Sequence, residues 1–177
     1  MKLLRNLMFA VAVVLVLLLA VAFFLPSTFS VERSGAVAAP AEQVYARFAT
    51  PRTWAAWSAW TTADDATLVY TYAGPDSGVG AIMRFTAKKM GNGELEIVGA
   101  EPGRAVDYEL RMTGTDMKVH GHVTFEPDGD GTKVNWRDSG DLGKNVLLRY
   151  LGPMLDKNLA AAYEKSFAGL RRELAGK

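Results

Sequence analysis

Asp138 is the residue whose placement most invites a chemical reading. It continues the series Val134, Trp136, Asp138; alternate residues of a strand share a face, so a carboxylate falls where the pattern calls for an apolar side chain. A carboxyl desolvated there has a raised pKa unless it is paired, and it can anchor a ligand hydroxyl or act as a general base. The simpler reading, and the expectation, is that the strand ends at Ser139-Gly140, so that Asp138 reaches water or caps the helix that follows. Asp156 has a structural explanation too, since the macrodipole stabilises a carboxylate in the first turns of a helix. His120 and His122 are the only two histidines. At i, i+2 on a strand they share the face of Lys118, Thr124 and Glu126, opposite Val119, Val123 and Phe125, which makes them a solvated pair. With Glu126 they supply only part of a zinc or copper shell, and a catalytic histidine facing inward needs a bulge to reverse the register. Asp128-Gly129-Asp130-Gly131 superficially suggests a calcium loop, but Lys133 and Ser139 stand where the glycine and the bidentate glutamate belong. Ser77-Gly78-Val79-Gly80 is a turn with no helix behind it, hence no phosphate loop. These residues assign no metal, no cofactor and no catalytic group.

The aromatic and methionine side chains say more. Tyr70, Tyr72, Met83, Phe85, Tyr108, Met112, Phe125 and Trp136 all fall on the apolar face of strand patterns, and Trp54, Trp57 and Trp60 recur at three-residue spacing in a short helical stretch placed at a rim. Core packing explains any one of them. As a group, phenols and flexible thioethers beside indoles suit an adaptable apolar pocket with a few hydrogen-bonding handles. The cavity candidates are therefore Trp57, Tyr70, Tyr72, Met83, Phe85, Tyr108, Met112, Phe125, Trp136 and Asp138, joined by Leu159 and Tyr163 from the last helix.

That last helix, from about Pro153 to Leu174, is the element the others must enclose. Leu155, Leu159, Ala162, Tyr163, Ser166, Phe167, Leu170 and Leu174 recur at three- and four-residue steps and form one apolar stripe. A first strand is predicted over Phe29 to Ala38, then a helix that opens at Pro40-Ala41-Glu42 and stops before Pro51. Six strands follow as a meander: Thr67–Ala73, Val79–Lys88, Glu94–Gly99, Arg104–Thr113, Lys118–Glu126 and Thr132–Gly140. Turns are expected at Gly74–Gly78, Met90–Gly93, Glu101–Gly103 and Asp128–Gly131. One antiparallel sheet with a single apolar face has to wrap the helix.

Ahead of this domain, Leu7 to Leu25 is an unbroken apolar run preceded by Lys2 and Arg5 and ended by Pro26. About nineteen residues at 1.5 Å rise make roughly 28 Å of helix, enough to span a bilayer. Ala20-Val21-Ala22 also has the form of a signal-peptidase site. The run continues through Phe23, Phe24 and Leu25, which favours an uncleaved anchor over a secreted product. In either case the positive residues stay in the cytoplasm, so the domain is expected on the extracytoplasmic side of the cytoplasmic membrane. The chain divides into residues 1–26, the anchor or signal, and 27–177, the folded domain. Twenty basic and 19 acidic residues leave a formal charge of +1, with no basic footprint for nucleic acid. Cysteine is absent, which excludes disulfides and thiolate chemistry.

The order of strand, small helices, six-stranded meander and long C-terminal helix resembles the helix-grip fold of the START and Bet v 1-like (SRPBCC) superfamily. Within it, the chain is similar to the polyketide cyclase/dehydrase and lipid transport group. The phrases that carry the likeness include Val31-Glu32-Arg33-Ser34, Trp54-Ala55-Ala56-Trp57-Ser58, Tyr72-Ala73-Gly74-Pro75, Ser77-Gly78-Val79-Gly80-Ala81, Gly131-Thr132-Lys133-Val134-Asn135-Trp136 and Tyr163-Glu164-Lys165-Ser166-Phe167. The resemblance implies an α+β fold, a seven-stranded antiparallel sheet around the last helix, and a cavity for a hydrophobic ligand; it implies no reaction. The expected function is a membrane-tethered binding or carrier domain for a lipid or other hydrophobic small molecule. An enzyme that uses the cavity with Asp138 or a tyrosine moving a proton is the alternative, and an envelope protein with a filled core and a protein partner is another.

Overall fold

The computed structural model describes residues 2–143 and 145–175. Helix α1 covers Lys2–Phe24, is almost wholly exposed, and is long and apolar enough to cross a membrane, properties a signal sequence shares. Strand β1 (Thr28–Val37) leads to α2 (Ala41–Ala49), a 3-10 turn (Pro51–Thr53) and the four-residue α3 (Trp54–Trp57). The meander follows as β2 (Val69–Ala73), β3 (Ile82–Ala87), β4 (Gly91–Glu101), β5 (Ala105–Met112), β6 (Lys118–Asp128) and β7 (Gly131–Asp141). A 3-10 segment (Val146–Leu151) runs into α4 (Gly152–Ala175). The seven strands form one antiparallel sheet in the order β1-β7-β6-β5-β4-β3-β2, so the first and last strands of the chain order are neighbours.

The predicted elements are present, with shifts that have local causes. Gly91, Asn92 and Gly93 are strand rather than turn, and the reversal lies over Lys88–Met90. The tighter turn is held by Asp65, whose carboxylate accepts from the Lys89 backbone N–H at 2.7 Å. Trp60 lies beyond the end of α3 instead of on the same short helix as Trp54 and Trp57. Strand β7 continues past Ser139-Gly140 to Asp141, paired on both sides by β1 and β6. The expected end of that strand is therefore corrected: Asp138 sits inside a three-strand ladder and is 4% exposed.

Helix α4 has two halves with different neighbours. Tyr163, Ser166, Phe167, Leu170 and Leu174 are buried, whereas Leu155 and Leu159 are half-buried. Around the inner half the aromatic rings close up: Trp136 stacks on Tyr163 at 4.6 Å between centroids, and Phe48 lies 4.6 Å from Trp57, 5.2 Å from Trp136 and 5.4 Å from Phe125. Such contacts add to the burial energy of large side chains. Gly169 permits the close approach of α4 to α3, because a Cβ there would run into the Trp57 carbonyl. Ser166 accepts a hydrogen bond from the Ala59 N–H at 2.9 Å and donates to Ala162 O at 2.8 Å, which ties the chain after α3 to the same helix.

Candidate functional site

Beneath the outer half of α4 the core does not close. A cavity of about 180 Å³ lies between the sheet and the helix, bordered by Leu155 and Leu159 from α4, Phe29 from β1, and Trp54, Ser58, Trp60 and Leu68 from the α3–β2 region. Its sheet side is Tyr70, Met83, Phe85, Leu95, Tyr108, Leu110, Met112, Met117 and Val119, with Met90 from the β3–β4 turn and Asp138 from β7. The walls are apolar almost throughout. Of the seven methionines in the chain, Met83, Met90, Met112 and Met117 line this space. Unbranched thioethers re-pack at low cost, so the walls adapt to shape. An apolar cavity of about 150 Å³ admits a single benzene-sized molecule, which sets the scale of an occupant here.

Among the described residues of the lining, Asp138 is the one carboxyl group. Tyr108 donates to its Oδ1 at 2.5 Å, and Trp136 Nε1–H donates in turn to the Tyr108 hydroxyl at 2.8 Å. The register explains how Tyr108 reaches a residue two strands away. Tyr108 faces Gly121 across β5–β6, and Gly121 faces Asp138 across β6–β7. Adjacent strands are spaced about 4.8 Å apart, so the tyrosine must lie flat across roughly 10 Å of sheet. A Cβ on residue 121 would overlap the Tyr108 ring, and glycine removes that obstacle. The Tyr163 hydroxyl is buried beside Asp138, close enough for each group to influence the other's protonation.

Burial raises the Asp138 pKa above the usual carboxyl range, and the hydrogen bond from Tyr108 only partly opposes it. Burial, and then the Asp138 charge, pushes the Tyr108 and Tyr163 phenols well above theirs. Among the described residues no cationic side chain forms an ion pair with the carboxyl; the groups beside it are two phenols and an indole. A group so placed accepts from a hydroxyl or amine that enters the cavity, or holds a proton it can donate. Tyr70 is likewise pushed up by burial, to about 12, and donates to Trp60 O at 2.8 Å, which fixes the wall opposite.

Of the sequence candidates, Tyr70, Met83, Phe85, Tyr108, Met112, Asp138 and Leu159 meet at this cavity. Trp57, Phe125, Trp136 and Tyr163 do not line it; they pack the closed aromatic core behind it. Tyr72 lies on the other side of Tyr70, half-buried, with the Arg52 guanidinium 4.6 Å from its ring centroid. Trp54, Phe29, Leu95, Leu110 and Leu155 belong to the lining without having been singled out as ligand contacts, because their apolar periodicity is the same as that of core residues. Asp65 also escaped notice. It is buried, accepts from the Thr67 N–H at 3.0 Å and its hydroxyl at 2.6 Å, and so fastens the approach to β2 onto the turn that carries Met90. Hydrogen bonds from Thr67 and Lys89 lower its pKa to about 2. His120 and His122 are on the outer face, where His122 Nδ1 is 2.6 Å from Asp107, and Asp156 is exposed beside Arg33 at 3.8 Å.

Residues 28–175 match the model of a family described as polyketide cyclase / dehydrase and lipid transport. The chain belongs to this family. The match takes in the whole sheet and all of α4, leaving α1 outside it. No curated protein matches the sequence. Among solved structures, the protein CV1439 from Chromobacterium violaceum is similar at 20% identity with a TM-score of 0.58, over 83% of this chain and 96% of that one. Ara h 8.0201 matches at 12% identity and a TM-score of 0.62, over 85% and 99%. The norcoclaurine synthase of Thalictrum flavum, solved as a point mutant with a transition-state analogue, matches at 14% and 0.60, over 84% and 96%. At these identities the neighbours establish the helix-grip fold. The polyketide cyclase and lipid transport family thus accounts for the architecture around the cavity, and membership is consistent with ligand binding.

Proposed function

We propose that residues 27–177 form a binding or carrier domain for a small hydrophobic molecule bearing one hydrogen-bond donor, and that residues 1–26 anchor it to the cytoplasmic membrane from the extracytoplasmic side. The observation that carries the reading is an apolar, methionine-walled cavity in which Asp138, the one carboxyl group among the described residues of the lining, is held by Tyr108 and has no cationic partner among them. Its volume suits one ring system or a short stretch of acyl chain, so a lipid would enter with part of one chain rather than as a whole diacyl molecule. Retention of α1 is supported by its contacts: Ala22 is fully buried, and Tyr150 and Arg149 donate to the Leu18, Phe23 and Leu25 carbonyls. A tether of this kind raises the concentration of the domain at the bilayer.

Native mass spectrometry of the full chain, solubilised from the membranes of its own cell and compared with a denatured sample, tests the proposal. An apolar molecule that co-purifies with the wild type and is lost on Asp138→Ala or Met83→Trp supports it and identifies the cargo. A protein that is reproducibly empty and does not respond to a panel of hydroxylated and amino-bearing apolar compounds overturns it. The desolvated Asp138 favours a second reading, in which the same carboxyl moves a proton on a bound substrate. Conversion of a bound compound by the wild type and not by Asp138→Asn is its signature.

A further inference from the structure

We infer that the 3-10 segment Val146–Leu151 and the start of α4 rest in the membrane interface, so that the cavity opens toward lipid. This inference rests on the proposed retention of α1 as an anchor, and its first support is the joint between α1 and the domain. Arg149 Nη1 donates to Phe23 O at 3.0 Å and to Leu25 O at 3.3 Å, which satisfies carbonyls left without partners at the end of α1 and sets a positive charge at the negative end of the helix dipole. Its guanidinium also lies 5.9 Å from the Phe23 ring centroid. Tyr150 donates to Leu18 O at 2.6 Å. The connection is short, and Leu142 N–H donates to Ser27 O at 2.8 Å just beyond Pro26. The domain therefore continues α1 as a docked body instead of swinging from a loose linker.

Depth follows from helix geometry. Leu18 lies six residues before the end of α1, about 9 Å along the axis at 1.5 Å per residue. The helix has 23 residues, roughly 34 Å, against about 30 Å of hydrocarbon. The Tyr150 hydroxyl consequently lies alongside the last two turns of a span, and the body of the 3-10 segment falls at headgroup level, where tyrosine and arginine place a polar tip beside an apolar stem. Large apolar side chains are presented around it: Leu147 and Met154 are each 54% exposed, and Phe23 and Phe24 at the end of α1 are exposed as well. No other large apolar side chains outside α1 are comparably exposed except Val69 and Val79, which are remote in sequence from this joint, among the described residues.

The cavity shares this end of the molecule. Phe29 lines it only a few residues beyond the exit of α1, and Leu155 lines it next to Met154. Met117 lines both the cavity and a polar cleft that includes Ser27 and Arg149. A hydrophobic molecule dissolved in the outer leaflet thus meets the opening without crossing water.

The chain has no cysteine, so single substitutions Leu147→Cys, Met154→Cys, Val79→Cys and Val14→Cys each carry one nitroxide label. In the full chain reconstituted into phosphatidylcholine vesicles, power saturation by oxygen and by a water-soluble nickel chelate reports immersion. The expected result is a severalfold excess of oxygen over nickel accessibility at 147 and 154, as at 14, and the reverse at 79. The double variant Arg149→Gln/Tyr150→Phe should shift the 154 label toward the values at 79 while leaving 14 immersed. Labels at 147 and 154 that match 79 while 14 stays immersed overturn the orientation but leave the anchor standing. A water-accessible label at 14 overturns the anchor and the inference with it. Low accessibility to both reagents with spin–spin broadening means that a second copy covers the patch, which also overturns it.

Discussion

Replacing Gly121 with alanine should destabilise the domain, against the ordinary preference of a strand interior. By propensity alone the change favours the strand by about 0.5–1 kcal/mol. In the fold, a Cβ at position 121 would overlap the Cζ, Cε1 and Cε2 atoms of Tyr108. Both neighbours of Gly121 are paired strands, so the backbone has little freedom to retreat and the ring must move. Overpacking of this kind costs about 1–3 kcal/mol. Displacement also breaks the hydrogen bonds from Tyr108 to Asp138 and from Trp136 to Tyr108, and a buried group left without its partner adds about 1–3 kcal/mol. With the propensity gain subtracted, the net cost is on the order of 3 kcal/mol, a large share of the roughly 5–15 kcal/mol typical of a domain. A Tm lower by about 6–12 °C corresponds to that figure for a domain of this size. The measurement is thermal and urea unfolding of Gly121→Ala beside the wild type and Tyr108→Leu. Because the clash needs both side chains, the Gly121→Ala/Tyr108→Leu variant should cost less than the sum of the single changes. A Gly121→Ala protein within about 0.5 kcal/mol of wild type, or strict additivity in the double variant, refutes the reasoning.

Asp138→Asn keeps an acceptor for Tyr108 while removing a carboxyl whose folded pKa is raised, chiefly by burial. A raised carboxyl pKa means that the folded state binds the proton more tightly than the unfolded state, so its contribution is full below the ordinary value of 3.8 and is lost as pH rises through the folded value. The substitution should therefore increase stability at neutral pH and flatten that part of the profile measured by urea unfolding; an unchanged slope contradicts it. Asp65 has the opposite sign, because its pKa is lowered to about 2. Its contribution is present above 3.8 and lost as pH falls from there toward about 2, and Asp65→Ala should speed amide exchange at Lys89 selectively, as read by hydrogen-exchange NMR. Leu159→Trp, on the half-buried roof of the cavity, should weaken binding of an apolar fluorescent probe by about tenfold or more while the fold is retained, since each 1.4 kcal/mol of lost contact is tenfold. Probe titration with undiminished affinity counts against the cavity as the binding site.

The legible part of the site was its alternation. Tyr70, Met83, Phe85, Tyr108, Met112 and Asp138 were recognisable because strand residues two apart share a face, and all six reach the cavity. The same rule grouped them with Phe125 and Trp136, and there it lost resolution. Position along a strand decides whether an inward residue meets the packed half of α4 or its open half, and periodicity carries no information on that. Asp138 shows a second limit. Ser139-Gly140 has the composition of a strand end, yet pairing with β1, over a hundred residues earlier, holds β7 in register to Asp141. Asp65 shows a third, since its value depends on backbone N–H groups from a turn distant in sequence.

Element order, the apolar face of the sheet, the stripe on α4 and a membrane-length N-terminal helix were legible in local composition and spacing, and the family in the phrases that resemble it. Tertiary structure alone decided that the aromatic residues divide between a closed core and an open cavity. It decided as well that Gly121 is the gap through which Tyr108 reaches Asp138, and that Arg149 and Tyr150 bind the end of α1. The physical reason is common to all three. A burial pattern specifies which way a side chain points, whereas the distance to its partner is set by strand pairing and helix docking between residues far apart in the chain.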